Sequence, residues 1–374
     1  MKISILFFLP TALILFSCGS KNPDRQAPPP PPTQFLTVEG AQTTALKNPK
    51  INVLFVVDNS GSMKGYQAKL AKNIELFADL FFKNKRIDYK IGVVPVYDSK
   101  YLNDQTVYRS GLRKMNALGE LVPLKGLEAD DIQSQLFITR ETKNPKKVLQ
   151  ATVEIGTQWG PEAEESFSPV LAIADAKINV EKNKNFYDEE AYLAVIFLTD
   201  ADDVTPGLSG EDFYKKLVQL KNGDRSKVLI AAALPNLSHE DSNCTTDGDG
   251  PTQSFPALLA VSGAINADLC SANFGARLAD FGKYLVQRAA SEKIALNFTP
   301  DIESIEVSYG EIGSAEVDRI AIGRGQNGYL FDSEKNEVII SPDIELPKAG
   351  NSVIFVKAKP ADLANYKSGR LKTL

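Results

Sequence analysis

Histidine and tryptophan each occur once in these 374 residues, and cysteine three times. The single histidine, His239, sits in the polar stretch Ser238-His239-Glu240-Asp241-Ser242, so any Ser-His-Asp relay would have to pass through it. No G-x-S-x-G nucleophile elbow is there to meet it, because Asn59-Ser60-Gly61 lacks the first glycine. The His and carboxylate clusters usual for metal-assisted hydrolysis are missing too, so no enzyme is expected and His239 reads as a surface residue. A basic excess is also lacking. With 42 Lys and Arg against 47 Asp and Glu, the net charge of -5 cannot neutralise a phosphate backbone, which excludes nucleic acid as an expected partner. There is no internal repeat, and no second long apolar run follows the one at the N-terminus.

That one run, Ile3 to Phe16 after the positive Lys2, is shorter than the roughly 20 residues a spanning helix needs and has the length of a signal-peptide core. It ends in Leu15-Phe16-Ser17-Cys18-Gly19, which resembles the bacterial lipobox, with Phe16 where a small or β-branched residue is usual. The resemblance implies that residues 1–18 are a lipoprotein signal peptide ending at the lipidated Cys18. The mature chain is then expected in the cell envelope, anchored by lipid to a bacterial membrane, the outer one. Oxidising conditions there would let the remaining cysteines, Cys244 and Cys270, form a disulfide. Cys244 to Gly250 carries a fragment of calcium-loop spacing without the terminal glutamate, and reads better as a turn pinned by that bridge. Residues 19–49, with five consecutive prolines at Pro28 to Pro32, read as an extended tether.

Folded sequence is predicted from residue 50. Val53 to Val57 is a continuous apolar run, the mark of a strand buried on both faces, and Lys64 to Phe82 spaces Leu70, Ile74, Phe77, Ala78 and Phe81 as one helix face. Strands then alternate with helices. Tyr89–Val96, Ala191–Thr199 and Val228–Leu234 read as strands, and Asn144–Ile155, Ser166–Val180, Glu211–Lys221 and Ser271–Ala290 as helices; Lys293–Phe298 is expected as the last strand of the sheet. The fold class is therefore α/β: a doubly wound, mostly parallel sheet flanked by helices over residues 50–298. Residues 299–374 change to short alternating segments and predict a small β-rich C-terminal unit.

Directly after the first buried strand stands Asp58-Asn59-Ser60-Gly61-Ser62. In open α/β sheets ligands bind beyond the carboxyl ends of the strands. The D-x-S-x-S spacing sets one carboxylate and two hydroxyls on a tight loop at a helix start, hard donors of low total charge that suit Mg2+ or a similar cation. A plain helix cap is the alternative use of the same residues. The motif resembles the metal-ion-dependent adhesion site, or MIDAS, of the von Willebrand factor A family, and the resemblance covers residues 50–298. It implies that Ser60 and Ser62 coordinate directly and that Asp58 acts largely through water. It further implies that Asp200, at the end of the strand Val195–Leu198, faces the metal, and that a partner's carboxylate completes the shell. The expected ion is Mg2+, with Mn2+ or Ca2+ as alternatives.

The family's third loop supplies a threonine. The corresponding stretch here, residues 156–165, offers either Thr157 or Glu164, and a glutamate ligand would make the site more anionic. Trp159, in the same loop, is either an exposed partner-binding anchor or a ring folded over the loop base. Asp202 and Asp203 read as a solvated acidic turn capping the next segment, or as help for an ion. The function implied is protein–protein or cell-surface adhesion through a bound divalent metal. The rival reading keeps the fold without the metal, as a structural scaffold in an envelope assembly that uses the C-terminal β unit for contact.

Overall fold

The structure, a computed structural model, describes residues 35–37, 40–84, 86–99, 118–128, 136–158, 160–161, 163–235, 250–271, 273–347 and 350–361. Cys18, Trp159, His239 and Cys244 lie outside these residues, and so does the lipobox-like stretch. Two short strands, β1 (Phe35–Thr37) and β2 (Ala41–Ala45), precede β3 (Lys50–Val57), which is buried at every position after Lys50. A strand with no polar face must be covered on both sides. β3 pairs in parallel with β4 (Asp88–Pro95) and with β5 (Tyr192–Leu198). With β6 (Val228–Leu234) and β7 (Ile265–Asp268) the order is β4-β3-β5-β6-β7, all parallel.

Among the described residues six helices flank this sheet: α1 (Lys64–Lys83), α2 (Pro145–Val153), α3 (Phe167–Ala172), α4 (Gly210–Gln219), α5 (Ser254–Ser262) and α6 (Phe274–Ala290). Because side chains alternate along a strand, β3 feeds two cores. Val53, Phe55 and Val57 pack with α1, α2 and α6, where Phe55 meets Phe77 edge-on at 5.7 Å. Leu54 and Val56 pack with α3, α4 and α5, where Phe167 stacks on Phe213 at 4.2 Å. The sheet is thus parallel, five-stranded and flanked by helices on both faces. The helix predicted over 166–180 ends at Ala172, and a π-helical turn follows at Ile178–Lys182. Between them the Asp175 carboxylate accepts the N–H groups of Lys177 and Ile178, a local bond that competes with helix continuation.

Lys293–Phe298 does not close the parallel sheet. Its strand β8 (Glu292–Ala295) runs antiparallel to β12 (Glu337–Ile340), which also pairs with β11 (Tyr329–Asp332). Only Ile294 of β8 is fully buried, the one-sided pattern of an antiparallel sheet rather than that of a covered parallel strand. A second antiparallel sheet has the order β1-β2-β13-β9-β10, with β9 (Glu306–Glu311), β10 (Ile320–Ile322) and β13 (Ser352–Lys357). The expected tether therefore gives way to sheet structure at Phe35, and the C-terminal β unit includes strands from both sides of the parallel sheet. Leu46, Ile294, Leu296, Phe298, Val307, Tyr329, Val338, Ile354 and Val356 form its separate core. The buried Gln42 of β2 donates to Ala295 O at 2.9 Å and accepts from Asn297 N–H at 3.4 Å, tying the two small sheets together.

The α/β body is thus inserted between β2 and β8. Its two joints meet at Arg86, whose buried guanidinium donates to Lys47 O at 2.9 Å and Ala290 O at 3.2 Å and forms an ion pair with Glu292. Burial pushes the Glu292 carboxyl up, against the pull of Arg86. Removing one partner of a buried pair strands the other. Arg86→Met is expected to destabilise the protein by about 3 kcal/mol, read as a lowered urea midpoint.

Candidate functional site

In the strand order β4-β3-β5-β6-β7, the strand first in sequence lies between the second and third, so the winding direction reverses between β3 and β5. A crevice opens at the carboxyl ends of such a strand pair. Asp58 leaves β3 there and Asp200 leaves β5 beside it, with Asp58 N–H donating to Leu198 O at 2.9 Å. Both carboxylates have 0% exposure. Buried charge must be met by donors. Asp58 Oδ1 accepts the Ser60 N–H at 2.8 Å and Oδ2 accepts the Thr199 hydroxyl at 2.7 Å. The Ser62 hydroxyl donates to Asp200 Oδ1 at 3.1 Å, and the Ser60 and Ser62 hydroxyl oxygens lie 3.1 Å apart. Ser60 is buried and Ser62 exposed, so the group opens to solvent at Ser62.

The four residues Asp58, Ser60, Ser62 and Asp200 are therefore brought together. Among the described residues no group of three or more His, Cys, Asp or Glu is arranged to hold a metal; this pole offers hydroxyls between two carboxylates instead. The spacing fits a hard octahedral cation. Adjacent oxygens bound at about 2.1 Å at right angles are about 3.0 Å apart, close to both 3.1 Å separations here.

The third loop comes against the first through glycine. A Cβ on Gly160 would lie 1.8 Å from Asn59 O and 2.5 Å from Ser60 Cα, so only a residue without a side chain lets the two backbones approach. Gly156 is tied by both its N–H and its C=O to Gln67 of α1, which also holds Asp58 O. Thr157 is half-buried next to this glycine. Glu164 is buried, with its carbonyl accepting Val204 N–H at 3.3 Å. The neighbouring Glu165 accepts Ser99 N–H at 2.8 Å and the Ser168 hydroxyl at 3.0 Å, stitching the loop to the exit of β4.

Asp202 and Asp203 do not form a solvated turn. Asp202 accepts the N–H groups of Gln253, Ser254 and Phe255 at 2.6 to 3.0 Å and caps α5. The buried Asp203 accepts those of Ser166 and Phe167 at 2.7 and 2.9 Å and caps α3. Asp203 also accepts the Thr205 N–H at 3.1 Å and so does hold the next segment, while α4 is capped by the Ser209 hydroxyl. Gln67 and Thr199 are the site residues missed by sequence. Gln67 falls on the apolar stripe of α1, three and seven residues before Leu70 and Ile74, where a polar side chain must find partners.

No family model matches the chain, and no curated protein does. Among solved structures, it is similar to the pilus adhesin SpaC from Lactobacillus rhamnosus GG in an open conformation. Identity is 10% over 87% of this chain and 41% of the adhesin, with a TM-score of 0.36. It is also similar to proximal thread matrix protein 1 of the mussel byssus, at 12% identity over 68% of this chain and 51% of that one, TM-score 0.36. This chain thus spans about half, or less, of either protein's length. Likenesses of this degree define neither a shared fold nor a shared activity.

Burial pushes the Asp203 carboxyl up to about 6, against the hydrogen bonds from Phe167, Thr205 and Ser166. With the folded value above the ordinary 3.8, protonation favours the folded state: the contribution is complete below about pH 4 and lost as pH rises through about 6. Urea unfolding in EDTA is expected to show a loss of order 3 kcal/mol between pH 4 and pH 7 that Asp203→Asn lacks.

Proposed function

We propose that the chain is a doubly wound, von Willebrand factor A-type protein of the bacterial envelope. It holds a divalent cation, Mg2+ first, at a MIDAS-like pole and binds a protein or cell-surface ligand there without catalysis. The observation that carries the reading is the meeting of Ser60, Ser62 and Asp200 oxygens at 3.1 Å spacings where the winding direction of the sheet reverses. Ser60, Ser62 and Asp200 would hold the ion, and Asp58 would fix the loop that presents them. The bound cation would supply a Lewis-acidic point for an oxygen of the ligand. This chain's part is to orient the hydroxyls, through Asp58, Thr199 and the Gly160 contact, and to leave Ser62 open to solvent. Glu164 and Thr157 remain the candidates from the third loop, and Trp159 the candidate anchor for the ligand. Anchoring through a lipidated Cys18 rests on the lipobox-like sequence. A Cys244–Cys270 bridge rests on the two cysteines left after Cys18 and on the oxidising envelope that the anchor implies.

One observation favours the scaffold reading as a second possibility. Of the eight large apolar side chains exposed among the described residues, five, Ile302, Ile312, Val317, Ile320 and Leu330, belong to the β unit. Calorimetry separates the two. The wild type is expected to take up one Mg2+ or Mn2+ per chain and Asp58→Ala none, with ligand capture lost in EDTA. Absence of metal heat in the wild type sinks the metal reading. Capture that survives EDTA and Asp58→Ala but is lost in Val317→Glu would transfer the function to the β unit. Deleting residues 299–374 is a poorer test, since β2 would lose β13 and β8 would lose β12.

A further inference from the structure

We infer that Gln67 is a positioning residue of this pole: its carboxamide holds the Gly156–Glu165 loop against the Asp58 loop, and thereby sets the affinity of the oxygen group for a divalent cation. The inference rests on the cation reading above. Gln67 lies in the first turn of α1 and is 3% exposed. Its Nε2 donates to Asp58 O at 2.8 Å and to Gly156 O at 3.3 Å, while Oε1 accepts Gly156 N–H at 2.9 Å. One amide therefore serves two loops that are far apart in sequence. Gly156 has φ +95°, a left-handed conformation that favours glycine and lets one residue present both backbone groups to the same side chain.

Gln67 acts through the backbone. Asp58 O is the carbonyl of the residue whose carboxylate fixes Ser60, and four residues beyond Gly156 the chain reaches Gly160, in contact with Asn59 and Ser60. The two loops are interlocked at these contacts, and Gln67 closes the arrangement from the helix side. Without its amide, the Asp58 carbonyl and both Gly156 groups lose a partner. Residues that orient ligands without touching the ion typically change metal affinity by about 10- to 100-fold when replaced.

Gln67→Met keeps the volume and removes the hydrogen bonds. At a temperature where circular dichroism shows the EDTA-treated protein folded, its Mg2+ Kd by calorimetry is expected to weaken by at least about tenfold. Lys72→Met, at an exposed position of the same helix, should keep the wild-type Kd. A purely structural Gln67 would lower the thermal midpoint and leave the Kd unchanged. Coupling is reciprocal, so in the wild type saturating Mg2+ must slow amide hydrogen exchange at Gly156. That measurement decides the matter if Gln67→Met fails to fold, and unchanged exchange overturns the inference. Mg2+ uptake with equal Kd in wild type and Gln67→Met overturns the role of Gln67 alone. No uptake by the wild type overturns the cation reading and this inference together.

Discussion

The carboxylate of Asp58 is fully buried, and it stands at the end of a strand that is itself buried at every position after Lys50. A buried charge in that position is tolerable only if every nearby chain segment turns donors toward it. The Ser60 amide and the Thr199 hydroxyl do so, and in doing so they bend the loop after β3 and set it against the end of β5. Asp203 and Asp202 apply the same rule one shell out, each satisfied by the free N–H groups of a helix start. The negative charge of this pole is thus met by hydrogen-bond donors of the chain itself.

Much of this was legible in the chain. Uninterrupted apolar runs at Val53–Val57 and Val228–Leu234 located central strands, and D-x-S-x-S located the loop, because each signal is confined to a few consecutive residues. What escaped depends on distant partners. Lys293–Phe298 alternates Ile294, Leu296 and Phe298 with polar or small residues, and only the pairing with β12 shows which core they face. The sequence Ala41-Gln42-Thr43-Thr44-Ala45 carries no apolar period at all, yet it lies between two strands. The third loop resisted reading for a different reason. Its fit depends on Gly160 having no side chain and on Gly156 meeting Gln67, contacts that no local pattern encodes.

The insertion of the α/β body gives the molecule a direction. The chain leaves β2, passes Leu46–Pro49 and enters β3 at its amino end; Asp58 lies at the other end, about 26 Å on at about 3.3 Å per residue. The β unit and the oxygen-rich loops therefore occupy opposite ends of β3. Arg86 secures the near end by holding both joints. The helix α1 spans the same distance, beginning at the Asp58 loop and ending just before Arg86.

That insertion also fixes an order of events during synthesis. Ala45 of β2 pairs with Val353, beyond the α/β body in sequence, so β2 has only β1 beside it until that body and β13 have been made. An unpaired strand waiting that long is a hazard when it is rich in large apolar side chains. With two alanines, two threonines and a glutamine, β2 has no large apolar side chain, so the composition that hid it from a periodicity reading also lowers that hazard.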